Sequence, residues 1–259
     1  MSKLPLFDSH AHLDVADFDQ DREAVLKDCG EALAGLINPG VDKETSLQAM
    51  DLAHHYPFVY AAVGWHPEEI ARCTDQDMLE VEAWCSDPKV VAIGEIGLDY
   101  YNDENAPHDL QKKYFIQQLE LAKKVNLPVL IHDREAHGDL LEILQKEGRG
   151  VTGVMHCYSG SLEMAKVLLK LGWYFGFGGS TTFKNSKKAR EVLAWVPEER
   201  ILFETDCPFM TPVPYRGTRN KPTYTELVAR NAALLRGVDP IALMAASTRN
   251  LKQLCKKIG

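Results

Sequence analysis

The sequence predicts a single-domain α/β protein, a closed parallel (β/α)8 or TIM barrel spanning residues 1–259, and three observations carry that prediction. Eight short apolar runs suited to buried strands recur along the whole chain. Segments with helical spacing separate most of them. The length of 259 residues matches the usual size of about 250 for this architecture.

The strand runs fall at residues 4–7, 36–37, 58–63, 90–93, 129–131, 151–155, 173–177 and 201–203, the seventh interrupted by Gly172 and Gly176. Helical spacing is clearest over 109–125, where Leu110, Tyr114, Phe115, Leu119, Ala122 and Val125 recur every three to four residues. Asp109 is expected to cap its start. Asn126 and Pro128 end it, because proline supplies no backbone donor and restricts the residue before it. Helices are likewise expected over 19–31, 43–55, 77–86, 137–147, 162–171 and 187–195. An open doubly wound sheet would want a glycine-rich phosphate turn after its first strand, and His10-Ala11-His12 stands there instead.

Composition narrows the function. Apolar residues make up 45% and charged residues 25%, values of an ordinary globular domain. Acidic groups (37) outnumber basic ones (29), giving a net charge of −8 and no global positive field for gripping duplex nucleic acid. Six scattered cysteines without a C-x-x-C pair suit a reduced, cytoplasmic protein. No apolar run approaches the roughly 18 residues that span a bilayer. Residues 1–8 reach Asp8 before any signal-like stretch, so neither secretion nor membrane insertion is expected.

In such a barrel the active site is built at the carboxyl ends of the strands. Those ends carry His10 and His12, His66, Glu95, His132, His156, and Glu204 with Asp206, and they account for five of the nine histidines. His10 and His12 are two apart on an extended segment and point to one face, where both can bind one ion. Four imidazoles with two carboxylates are too many for one tetrahedral site with an open position, so two divalent cations are expected. Glu95 is placed between them, with His10, His12 and Asp206 at one position and His132 and His156 at the other. A metal pair acidifies a water and stabilises the attacking and leaving oxygens of a displacement, which is hydrolysis. The mixed ligands accept zinc, manganese, iron or magnesium.

Around that set, Asp206 is read as both ligand and general base, and His66 as the group contacting the scissile bond. Glu204 either supports a ligand from behind or pairs with a lysine or arginine as a plain barrel-interior acid. Cys157 and Cys207 adjoin two expected ligands, and strand alternation places both thiols behind the barrel wall as small apolar groups. His54, His55, His108 and His137 read as surface residues. Positive charge gathers after strand seven (Lys184, Lys187, Lys188, Arg190) and after strand eight (Arg216, Arg219, Lys221), where barrels often hold phosphate. The first group reads mainly as a solvated helix face; Arg216, Arg219 and Lys221, on a proline-stiffened loop, are the expected phosphate contacts.

Six stretches now resemble one family, the TatD-related metal-dependent hydrolases among the amidohydrolase-like barrels: FDSHAHLD (7–14), GWHPEE (64–69), GEIGLDYY (94–101), HDREAH (132–137), HCYSGS (156–161) and ETDCPFMTPVPYRGTRNKP (204–222). The resemblance implies that His10, His12, Glu95, His132, His156 and Asp206 bind two divalent metals. It also implies deoxyribonuclease activity, a metal-dependent 3′ to 5′ exonuclease action on single-stranded DNA. Many members carry a second histidine shortly after the position of His66, where this chain has Glu68 and Glu69.

The expected function is therefore metal-dependent hydrolysis of phosphodiesters, trimming single-stranded DNA or DNA ends, with no membrane and no obligate protein partner. The acidic net charge favours single strands over internal duplex. A hydrolase of a small amide, ester or lactone is the second reading, and a non-catalytic metal-binding scaffold the third.

Overall fold

In a computed structural model, which describes residues 3–102 and 104–259, the chain forms eight parallel strands in the order β1 to β8, each beside the next in sequence. Residues 1 and 2 of the N-terminal stretch considered above lie outside the described residues. The strands are β1 (Phe7–Asp8), β2 (Gly35–Pro39), β3 (Val59–Val63), β4 (Val90–Asp99), β5 (Val129–Arg134), β6 (Gly153–Met155), β7 (Tyr174–Phe177) and β8 (Ile201–Phe203). No ladder joins β8 to β1. The ring closes instead through Ser9 N to Phe203 O (3.0 Å), Asp206 N to His10 O (2.9 Å) and His12 N to Cys207 O (3.0 Å), around a single bridge between Ala11 and Cys207.

The outer ring holds α1 (Arg22–Ala32), α2 (Lys43–His55), α3 (Asp75–Trp84), α4 (His108–Val125), α5 (His137–Lys146), α6 (Leu162–Lys170), α7 (Lys187–Trp195), α8 (Thr225–Arg236) and α9 (Pro240–Leu254). Local chemistry starts several of them. Asp42 with Thr45 and Thr74 with Asp77 form reciprocal capping boxes, and Ser161 and Asp239 cap α6 and α9. Asp109 does not cap α4 as expected. The helix begins at His108 behind Pro107, so Asp109 sits in the first turn, where its charge suits the helix dipole. Asn126 ends α4 in the left-handed region at φ 54°. The helices α8 and α9 add to those expected from the apolar spacing. Among the described residues no helix is long and apolar enough to cross a membrane.

Side-chain alternation along the strands builds two cores. Leu36, Ala61, Val63, Ile93, Val129, Ile131, Phe175, Phe177, Ile201 and Phe203 face the helices. A second cluster takes Phe7, Ile37, Ala62, Ala92, Leu130, Val154, Tyr174 and Leu202, one or more from every strand, and packs them on Leu251, Leu254, Cys255 and Ile258. That is the barrel interior, plugged from its amino-terminal end by the end of α9. Lys257 fixes the plug by donating to the carbonyls of Cys85 and Asp87, ahead of β4, and of Val90 at its start. With the lower barrel filled, the inward positions at the carboxyl ends of the strands are left for polar chemistry.

Candidate metal centre

The polar end of the barrel is organised around Glu95, and a bulge decides where its side chain goes. On β4, Ile93 is level with Val129 and Ile96 with Ile131, so three steps along β4 match two along β5. Strict alternation from inward-facing Ala92 would turn residue 95 toward the helices. The extra residue restores the inward phase at Glu95, Gly97 and Asp99. Gly97, level with His132, has φ 147°, and a Cβ there would lie 2.0 Å from the His132 carbonyl oxygen; only glycine permits this approach.

The two oxygens of Glu95 face different histidines. Oε2 lies 3.1 Å from His10 Nε2 and 3.5 Å from His12 Nε2. Oε1 lies 3.0 Å from His132 Nδ1, 3.4 Å from His156 Nε2 and 3.6 Å from His66 Nε2. Asp206 closes the first side, its Oδ1 3.9 Å from His10 Nε2 and 3.7 Å from His12 Nε2. All six residues placed at metal positions from sequence therefore meet at one point, and His66 joins them. His66 reads from sequence as a substrate contact outside the ligand set; its Nε2 instead approaches the same carboxylate oxygen as His132 and His156.

A further layer of carboxylates holds these groups. Glu204, fully buried, accepts from the backbone N–H of Cys157 (2.5 Å) and from the Ser9 hydroxyl (3.3 Å), and its Oε1 lies 3.3 Å from His156 Nδ1, outside hydrogen-bond alignment. It packs against Gly176, where a Cβ would come within 2.4 Å of Oε2. Among the described residues Glu204 pairs with no lysine or arginine. Asp99, at the end of β4 and outside the expected ligand set, holds His132 Nε2 at 2.8 Å. Asp8 joins the ends of β1 and β8 by accepting from Thr205 N (2.9 Å), Thr205 Oγ1 (2.5 Å) and His10 N (3.2 Å). The signal available for both was their phase: each lies an even number of residues from an expected ligand.

Electrostatics shows a cluster that demands positive charge. Burial would raise the Glu95 carboxyl, but His10, His156 and His66 hold it well below the usual carboxylate range. Burial opposes protonation of His12 and His132, yet both are raised to about 9: His12 by Glu95, Asp14 and Asp206, His132 by hydrogen bonds to Asp99 and Glu95. Burial and His132 push His66 down to about 3, and burial with His156 lowers His10. Burial raises Asp8 to about 7 against its hydrogen bonds from Thr205 and His10. The donor set fits a divalent cation. Imidazole nitrogens and carboxylate oxygens converge within a few ångströms, His10 and His12 point their Nε2 atoms at each other across 3.1 Å, and among the described residues no lysine or arginine neutralises Glu95.

The remaining expectations separate. Cys207 is fully buried in the outer core as expected. Cys157 is not behind the wall. Strand β6 ends at Met155, Cys157 adopts φ 41°, and strand alternation no longer applies; the residue is partly exposed and its sulfur comes within 4.8 Å of ligand atoms of His156 and Asp206. Arg219 is engaged elsewhere, with both guanidinium nitrogens on Asp21 (2.8 and 2.6 Å), a bond to the Asp17 carbonyl and the Phe18 ring beneath it. Arg216 lies over Phe183 (4.2 Å) and Lys221 near the Tyr224 ring (5.2 Å). No hydrogen bond or ion pair among the described residues links any of these three to the histidine cluster. His54, His108 and His137 lie outside it, on Asp87, Tyr100 and Asp133.

Comparison with known proteins agrees with this architecture. The profile of the family described as TatD related DNase matches residues 7–256. The chain is 44% identical over 251 residues to the uncharacterized metal-dependent hydrolase YabD of Bacillus subtilis, covering 96% of this chain and 98% of that protein. It is 32% identical over 260 residues to the 3'-5' ssDNA/RNA exonuclease TatD of Escherichia fergusonii, covering 96% and 98%. The crystal structure of YJJV, a TatD homolog from Escherichia coli K12, superposes with a TM-score of 0.90 at 32% identity, over 97% of this chain and 98% of that one. With the profile spanning nearly the whole barrel and the buried histidine–glutamate cluster at its mouth, the chain belongs to the TatD-related DNase family of metal-dependent hydrolases.

Proposed function

We propose that the protein hydrolyses phosphodiester bonds at the ends of single-stranded DNA, in the 3′ to 5′ direction, using two divalent cations. The observation that carries this is the division of Glu95, with Oε2 turned to His10 and His12 and Oε1 to His66, His132 and His156. His10, His12 and Asp206 would hold one cation and His132 and His156 the other, with Glu95 between them; bound there, divalent cations would polarise the scissile phosphate and acidify a water.

The chain's own residues do the rest. Asp206, with φ 56° and its side chain 16% exposed, is the carboxylate of the cluster most open to solvent, and it accepts the proton of the attacking water. Asp99 fixes the His132 ring by a 2.8 Å hydrogen bond before substrate arrives, and Glu204 stands 3.3 Å behind His156 Nδ1 as its charge partner. His66, pushed down to about 3 by burial and His132, is neutral and contacts the scissile group from beside Glu95. Arg216 is the phosphate contact of the basic loop, since Arg219 is held by Asp21. The activity in the name of the Escherichia fergusonii relative supports the choice of nucleic acid.

A second reading, a hydrolase of a small neutral amide, ester or lactone, is favoured by Glu68, whose Oε2 sits 3.9 Å from His66 Nδ1 and adds negative charge at the mouth. End-labelled single-stranded DNA given to metal-stripped protein, with divalent metals returned singly and Asp206→Asn alongside, separates the two. Metal-dependent shortening from one end, lost in Asp206→Asn, supports the exonuclease. Intact DNA with every metal, at confirmed metal occupancy, overturns it in favour of the small-molecule hydrolase.

A further inference from the structure

The mouth of this acidic barrel is bordered by apolar surface. Of the twelve large hydrophobic side chains exposed among the described residues, five lie on the segments leaving β4 and β8: Tyr101, Phe209, Met210, Val213 and Tyr215. Tyr101 is 63% exposed and Phe209 58%. Phe209, Met210, Val213 and Tyr215 share the loop after β8, and exposed apolar groups gathered in this way mark a binding surface, whereas scattered ones do not.

Both aromatic positions are tied to the metal cluster by backbone bonds. Tyr101 N donates to Asp99 Oδ1 (3.0 Å), and the other oxygen of Asp99 holds His132. Phe209 N donates to the Asp206 carbonyl (2.9 Å), and the Phe209 carbonyl accepts from the fully buried Asn220 (2.6 Å). Strands β4 and β8 stand opposite each other in an eight-stranded ring, so the two aromatics flank the cluster from opposite rims. Each rim also carries a guanidinium: Arg134, level with Asp99, lies 3.7 Å from the centre of the Tyr101 ring, and Arg216 lies on the same loop as Phe209.

The charge available for phosphate is small, because Arg219 is paired with Asp21 and the chain carries a net −8. A ligand suited to this rim presents flat faces to stack and asks for few phosphate contacts. Unpaired nucleobases meet both conditions, and duplex does not, since its base faces are already stacked. We propose that Tyr101 and Phe209 form a split stacking platform that holds unpaired bases on either side of the metal cluster, so that grip on a single strand comes from stacking more than from phosphate charge. The proposal rests on the nuclease reading above and adds the groups that recognise the strand.

The test is binding of native, metal-replete protein to a hydrolysis-resistant phosphorothioate oligothymidylate and to its abasic counterpart, followed by fluorescence anisotropy. The base-bearing strand is expected to bind more tightly. Tyr101→Ala and Phe209→Ala should each weaken its binding about tenfold while barely changing the abasic strand, with Tyr101→Trp restoring affinity. Leu79→Ala, at an exposed position on α3, is the control. Two guanidinium contacts at about −0.7 each give a shallow salt slope of about −1.4. Equal affinity for the two strands, equal weakening of both by the alanine variants, or a slope several-fold steeper overturns the platform. Cleavage of DNA by wild type with both variants binding normally removes the platform and leaves the nuclease. If wild type turns over bis(p-nitrophenyl) phosphate yet neither binds nor cleaves any oligonucleotide, both readings fall.

Discussion

Replacing Glu204 by glutamine removes one charge from the barrel interior and little volume. Glu204 is fully buried, accepts from the Cys157 N–H and the Ser9 hydroxyl, and places Oε1 3.3 Å from His156 Nδ1. Burial works against its ionisation, but the charges of His156 and His10 and the Cys157 N–H hold it below the usual carboxylate range. In Glu204→Gln the acceptor of the Cys157 N–H loses its charge, the NH2 can only donate to the Ser9 oxygen, and Gly176 leaves no room for the amide to move away. Losing a charge-assisted hydrogen bond to a buried donor costs about 1.5–3 kcal/mol. Independently, removing a carboxylate that supports a metal-binding imidazole typically weakens metal affinity about 10- to 100-fold, or about 1.4–2.7 kcal/mol. The two figures overlap near 2 kcal/mol, which for a domain of this size lowers Tm by about 4–8 °C. Competition against a chromophoric chelator reads the affinity of each metal equivalent, and thermal melts of stripped and loaded protein read the stability. Wild-type affinity for both equivalents, in a protein melting with the wild type, would falsify the supporting role of Glu204.

Three further outcomes are expected. Gly97→Ala places a methyl 2.0 Å from the His132 backbone oxygen at φ 147°, so neither a rotamer change nor a small shift relieves it; a loss of about 3 kcal/mol in urea unfolding is expected, and an unchanged midpoint would refute the close approach. Arg219→Ala removes a bidentate pair with Asp21 that is open to solvent and screened by it, so only a small drop in Tm is expected; an identical melt would mean that the pair does not anchor the loop. His137 Nδ1 lies 2.7 Å from Asp133 Oδ2, and that hydrogen bond raises its pKa above the ordinary 6.5 against burial. The stability it contributes is fully present below 6.5 and is lost as pH rises through the raised folded value. Destabilisation by His137→Gln should therefore shrink with rising pH in that window, and growth in the same window contradicts the assignment.

The barrel and the neighbourhood of the site were legible in the residues because two periodicities govern them. Apolar runs of strand length separated by amphipathic helices specify alternating layers, and parallel strands of a closed barrel must present their carboxyl ends at one mouth. Thus His10, His12, His132, His156 and Asp206 could be brought together across almost 200 positions without a contact being known. What sequence left open depends on direction and competition. Glu95 faces inward only because β4 carries one extra residue against β5, and pairing register is a property of two strands at once. Cys157 escapes strand alternation because its strand ends two residues earlier and its backbone turns into the left-handed region. Arg219 reads as a free phosphate contact until the fold carries Asp21 to it from 198 positions away. Asp99 and Tyr101 were visible as letters, but hydrogen bonds set by packing join them to His132 and hence to the metal cluster. Local pattern therefore determines which residues reach the mouth; which of them point inward, and which are already paired when they arrive, is decided by tertiary contacts between strands and loops far apart in the chain.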